Sequence, residues 1–127
     1  FYKKAIRRLQ QKRIEVSLFV DPDAEQIQVS HDIGADIVEI HTGHYAESRS
    51  EAEARKQFDR IARAVEKAAE LDLGISAGHG LNYVNVQRFK SLPEVEEYSI
   101  GHSIVARAIS VGLDQAVREM VELVKGF

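Results

Sequence analysis

Four short runs of β-branched and aliphatic residues, each separated from the next by a helix-length segment, constrain this chain more than any other feature. Residues 14–20 (I-E-V-S-L-F-V) and 37–41 (I-V-E-I-H) alternate as strands do, residues 73–77 form a third run, and Tyr98 to Ile100 a fourth. Between the first two, Asp21-Pro22-Asp23 predicts a helix start with proline in the first turn, and Gly34 its end. After a polar loop, Ser50 and Glu53 predict a capping box for a long helix with an apolar stripe of Phe58, Ile61, Val65 and Ala68. Val84, Val86 and Phe89 line a short helix that stops before Pro93. A basic amphipathic helix over residues 2–12 precedes the first strand, and helices over 103–110 and 113–125, the first of them short, close the chain.

Strands spaced by whole helices cannot pair as hairpins, so the pattern demands parallel pairing and right-handed crossovers. Two α/β architectures satisfy it: a small doubly wound sheet, or half of a (β/α)₈ barrel, whose usual size is about 250 residues.

Composition narrows the function classes. A chain of 127 residues with 44% hydrophobic content supports a core and argues against disorder. Seventeen basic against 20 acidic residues give a net charge of −3, with no basic run longer than pairs such as Lys3-Lys4 and Arg7-Arg8, so no nucleic-acid partner is expected. The chain has no cysteine, which excludes disulfides and thiolate metal sites and suits a reducing compartment; the cytoplasm is the expected location. No apolar stretch approaches the roughly 20 residues that span a bilayer, and Phe1 to Ala5 form no signal core, so no membrane role is expected. Lacking an initiator methionine and opening in helical spacing, the chain reads as the middle of a longer sequence.

The histidines are placed unevenly. Four of the five follow strands: His41 and His44 in E-I-H-T-G-H, His79 in G-H-G, and His102 in G-H-S. In parallel α/β folds active sites are built at that edge, where loops and helix N-termini converge. Glycines at 78, 80 and 101 have no Cβ, so they either shape turns or let a ligand approach the main chain beside an imidazole able to exchange protons. Glu39 is a functional carboxylate or half of an ion pair within the sheet. His41 shares the face of Glu39 and is a core or a catalytic histidine, whereas His44 and His31 are expected to be solvated. Ser103 caps a short helix after the fourth strand, which is either ordinary capping or a phosphate site at a helix N-terminus.

Together, Glu39-Ile40-His41-Thr42-Gly43, Ser76-Ala77-Gly78-His79-Gly80-Leu81-Asn82-Tyr83 and Ile100-Gly101-His102-Ser103-Ile104 resemble the pyridoxine 5′-phosphate synthase family. Val16 to Asp21, Arg107-Ala108, Gly112-Leu113 and Ala116-Val117 fit as well, so the resemblance spans essentially the whole chain. It implies a (β/α)₈ TIM barrel in which residues 1–127 are the C-terminal half of a single domain, a helix followed by about the last four βα units. The implied reaction condenses 1-deoxy-D-xylulose 5-phosphate with 3-amino-2-oxopropyl phosphate, giving pyridoxine 5′-phosphate, phosphate and water with no metal or organic cofactor. Position by position, His79 matches the family's proton donor and Glu39 the residue that stabilises transition-state charge. Gly80 matches a backbone contact to the aminoketone phosphate, and Gly101 and His102 match the binding of that substrate's phosphate end.

The same resemblance places the family's other catalytic histidine and glutamate, and its phosphate-gripping arginine, in an N-terminal half that these residues do not include. The expectation is an inactive segment unless that half or self-association completes the barrel, with small phosphorylated substrates and a homo-oligomer as partners. Two further readings stand beside it. One is a metal-dependent TIM-barrel isomerase or hydrolase using Glu39, His41, His79 and His102, although none has the close helical spacing of common zinc motifs. The other is a non-catalytic half-barrel assembly module.

Overall fold

Strands β1 (Ser17–Val20), β2 (Ile37–His41), β3 (Gly74–Gly78) and β4 (Glu97–Ser99) lie side by side in chain order, all parallel, in a computed structural model that describes residues 1–127. The order contains no reversal. A doubly wound sheet reverses its order at a switch point and these four strands have none; right-handed crossovers between successive neighbours bring α2, α4 and the 3₁₀ helix over the same face.

The helices are α1 (Tyr2–Gln10), α2 (Ala24–Ile33), α3 (Gly43–Ala46), α4 (Glu51–Glu70), a 3₁₀ helix at Asn85–Ser91, α5 (His102–Val111) and α6 (Leu113–Val124). None is long and apolar enough to cross a membrane. One core joins Val38 and Ile40 of β2 and Ile75 and Ala77 of β3 to Ile27 of α2, to the predicted stripe of α4, to Val86 and Phe89, and to Met120 of α6. The alternate strand residues, among them Phe19, Glu39, His41, Gly78 and Ser99, belong to the opposite face and lie outside that cluster. Strands β1 and β4 are each paired on one side only, leaving both edges open.

Local chemistry explains where expected and observed elements part. Strand β1 starts at Ser17 rather than Ile14, because Asp36 Oδ2 accepts the Val16 N–H at 2.7 Å and diverts that donor from the ladder, while the Val16 carbonyl still accepts the Ile37 N–H at 3.2 Å. The α2 N-cap is Asp23, whose Oδ1 accepts the Glu25 and Gln26 N–H groups at 3.1 and 3.0 Å; Pro22 therefore precedes the cap instead of entering the first turn. Gly34 ends α2 as expected, at φ +92°. Ser50 Oγ accepts from Glu53 N–H at 3.2 Å, but the Glu53 carboxylate reaches back to the Arg49 N–H at 3.0 Å, so the box closes one residue early. The expected polar loop contains α3, with Thr42, Gly43 and Tyr45 buried. The segment after β3 is 3₁₀ rather than α, and Val84 is exposed there while Val86 and Phe89 are fully buried.

Candidate active site

The pairing of β2 with β3 sets His41 opposite Gly78, so the two strands end level and release their loops together. Thr42, fully buried, ties those ends. Its N–H donates to the Gly78 carbonyl at 2.8 Å, and its Oγ1 lies 2.7 Å from the carbonyls of both Gly78 and His79. His79 is thereby held at φ +82°, a left-handed conformation that costs a non-glycine residue about 1–3 kcal/mol and is concentrated at functional sites. The next turn is pinned too: Asn85 Nδ2 donates to the Gly80 carbonyl at 3.1 Å, and Asn85 Oδ1 accepts the Asn82 N–H at 2.7 Å.

Glycine has a different cause at each position. Gly80 sits at φ +76°, and a Cβ there would fall 2.6 Å from Ala46 Cβ of α3. Gly78 needs space rather than unusual torsions, because a Cβ would strike the Glu39 carboxylate and approach Ser99 Cβ to 2.9 Å. Gly101 differs from both: φ is −122°, no neighbour crowds it, and its bare main chain opens on the space around it. Ser103 corrects a sequence expectation. It leaves α5 uncapped and donates instead to the Leu81 carbonyl at 3.0 Å, pinning the helix to the loop after β3. The first-turn N–H groups of α5 thus have no side-chain acceptor, the condition in which a helix start receives an anion.

A cleft of about 740 Å³ lies at this end of the sheet, and Glu39, His79, Gly80, Gly101 and His102 all line it, with Phe19 at its side. The five predicted site residues are therefore brought together. His41 is absent from the cleft lining and packs against His79, with ring centroids 4.8 Å apart. His44 is exposed on α3, and His31 faces solvent on α2 beside Asp32. No three histidine, aspartate or glutamate side chains converge in a geometry that would hold a metal ion, so the alternative ligand set of Glu39, His41, His79 and His102 is not assembled.

The structure also adds residues that local pattern did not single out. Thr42 acts across 37 positions of sequence, a separation at which only the strand register reveals the contact. Asp21, directly after β1, lies 3.4 Å from His41 Nδ1 through its carboxylate. Phe19, 58% exposed, lines the cleft and packs edge-on against His41 at 5.0 Å.

Residues 1–126 match the family model described as pyridoxal phosphate biosynthesis protein PdxJ. The pyridoxine 5′-phosphate synthase of Geobacter sulfurreducens is 53% identical over 121 residues, covering 95% of this chain and 51% of the relative. That of Geobacter sp. strain M21 is 54% identical over 123 residues, covering 97% and 52%, and that of Geobacter metallireducens 50% identical over 122 residues, covering 96% and 51%. The chain spans about half the length of the curated relatives it matches.

Proposed function

The chain belongs to the PdxJ family of pyridoxal phosphate biosynthesis proteins, and we propose on that premise that it carries the His79 side of a pyridoxine 5′-phosphate synthase site. In this reading 1-deoxy-D-xylulose 5-phosphate condenses with 3-amino-2-oxopropyl phosphate, and the convergence of Glu39, His79, Gly80, Gly101 and His102 on one cleft is the observation that carries it.

Ring closure through imine formation and dehydration needs protons delivered to leaving oxygens. His79, on a turn fixed by Thr42, donates them. Glu39, held in the space Gly78 clears, faces the cationic nitrogen or carbon centres that form on the way and stabilises them electrostatically. The aminoketone phosphate sits between the Gly80 turn and the uncapped start of α5, with Gly101 and His102 at its phosphate end.

Residues 1–127 are, in the same proposal, the C-terminal half of a TIM barrel. The unreversed strand order supports it, as does the sheet face left outside the core, which becomes the lumen. An apolar groove beside β1, with Leu18, Val20, Val29 and Ile33, and another beside β4, with Tyr98, Val117, Val121 and Phe127, receive the elements that close it. The exposed Val105, Ile109 and Leu113 give the assembled enzyme a surface for homo-oligomer contacts, and the cytoplasm is its place of action.

The test is His79→Asn in the full-length protein. Turnover of the two phosphates is expected to fall about 10²- to 10⁴-fold with the unfolding midpoint unchanged. Wild-type turnover in that variant overturns the proton-donor role.

A further inference from the structure

We propose that His41, held by Asp21, is a positioning residue that fixes the imidazole of His79 for proton transfer. The inference rests on the proton-donor reading of His79 and extends it to a residue with no role in that scheme.

The hydrogen bonds that hold His79 engage its backbone carbonyl and that of Gly78. They set where the side chain leaves the turn, but not the rotation of the ring. What stands against the ring is His41, tilted at 49° with its centroid 4.8 Å away. Gly43 shows how tightly the two are brought together. A Cβ there would lie 2.8 Å from His41 Nε2 and 2.9 Å from His79 Cδ2, so the imidazoles meet over a bare Cα.

His41 is itself enclosed. Phe19 packs edge-on at 5.0 Å, His44 lies at 5.9 Å, and the side chain is only 22% exposed. Asp21 Oδ1, on a half-exposed side chain, stands 3.4 Å from His41 Nδ1, and the Asp21 backbone is fixed by its N–H donating to Gln26 Oε1 at 3.1 Å and its carbonyl accepting the Asp23 N–H at 2.7 Å. The line from Asp21 through His41 to His79 therefore joins the ends of β1, β2 and β3. A donor that must point at a developing oxygen gains rate from such fixation, because misplacement by about 1 Å costs up to about a hundredfold.

The experiment uses the full-length protein with ¹³C-labelled histidine. His41→Ala is expected to lower kcat about ten- to a hundredfold while KM for both phosphates stays within about twofold. The His79 side-chain couplings should change from a single rotamer to an average. His41→Phe keeps a ring against His79 and should recover most of kcat and the single rotamer, and Asp21→Ala should give a smaller loss in the same direction. Wild-type kcat in His41→Ala, or a single His79 rotamer in that variant, overturns the proposal. Should His41→Ala fail to fold, His41→Phe and Asp21→Ala still decide it: a mobile His79 ring in the first, or an unaltered rotamer and kcat in the second, has the same effect. If His79→Asn is itself fully active the proton-donor reading falls, whereas the rotamer measurement still reports whether His41 orders the ring.

Discussion

One face of this sheet is closed over by α2, α4, the 3₁₀ helix and α6, and the other carries Phe19, Glu39, His41, Gly78 and Ser99 outside the core. Both faces come from the same strands by alternation, Val38 beside Glu39 and Ala77 beside Gly78. Stability is concentrated on the first, and the proposed chemistry falls on the second. The difference teaches that a one-residue step along β2 separates a core position, Val38, from one that lines the cleft, Glu39.

Substitutions on the two faces can break or sharpen that division. The largest effect expected on the closed face is from Phe89→Ala. Phe89 is fully buried against Tyr45, Phe58 and Tyr98, so its truncation should cost about 3–5 kcal/mol, read as a shift in urea midpoint, with kcat per folded molecule unchanged. A kcat loss in the folded fraction would break the comparison. Gly78→Ala should do the reverse. The new methyl displaces the Glu39 carboxylate and crowds Ser99, costing about 1–3 kcal/mol while reducing turnover at least about tenfold. Unchanged turnover would remove Glu39 from the chemistry.

Smaller effects sharpen the picture within the closed face. The Tyr98 hydroxyl is buried without a partner, although the residue as a whole is only partly covered, and burial pushes its phenol from 10.0 up to about 12. A value raised on folding favours the neutral form. The corresponding stability is intact below pH 10.0 and is lost as pH rises through about 12, which alkaline unfolding should show. Tyr98→Phe should abolish that dependence and stabilise the protein by about 1 kcal/mol at neutral pH. The smallest effect is expected from Arg118→Ala, whose ion pair with Asp114 is solvent-exposed on both sides; its loss should move the midpoint by less than about 0.5 kcal/mol.

Much of this was legible in the residues, for physical reasons that also mark the limit. Ile37 to His41 and the stripe Phe58, Ile61, Val65 and Ala68 were readable because their periods of two and 3.6 are long enough to stand out. Strand β4 begins at Glu97, one residue before the expected Tyr98, since Glu97-Tyr98-Ser99 has a single apolar member to set its frame. Helix α3 was missed because its order comes from tertiary contacts. Tyr45 packs on Phe58 and Phe89 and donates to the Asn85 carbonyl at 2.7 Å, none of which leaves a local signal. The cleft residues were visible as motifs, but the contact of His41 with His79 depends on the register that sets His41 opposite Gly78. The positive φ of His79 could not be read either, because local rules assign such torsions to its glycine neighbours.

The Thr42 clamp has a consequence for how such a chain can be shuffled with its relatives. Because one hydroxyl on the β2 side sits on the carbonyls of Gly78 and His79, the two units are coupled through position 42 alone, the acceptors being main-chain atoms that any residue supplies. A crossover placed near Gly34, before β2 begins, transfers the clamp whole. One placed inside α4 keeps it wherever the parent of β2 carries threonine at this position; otherwise the turn after β3 is freed while the core stays intact.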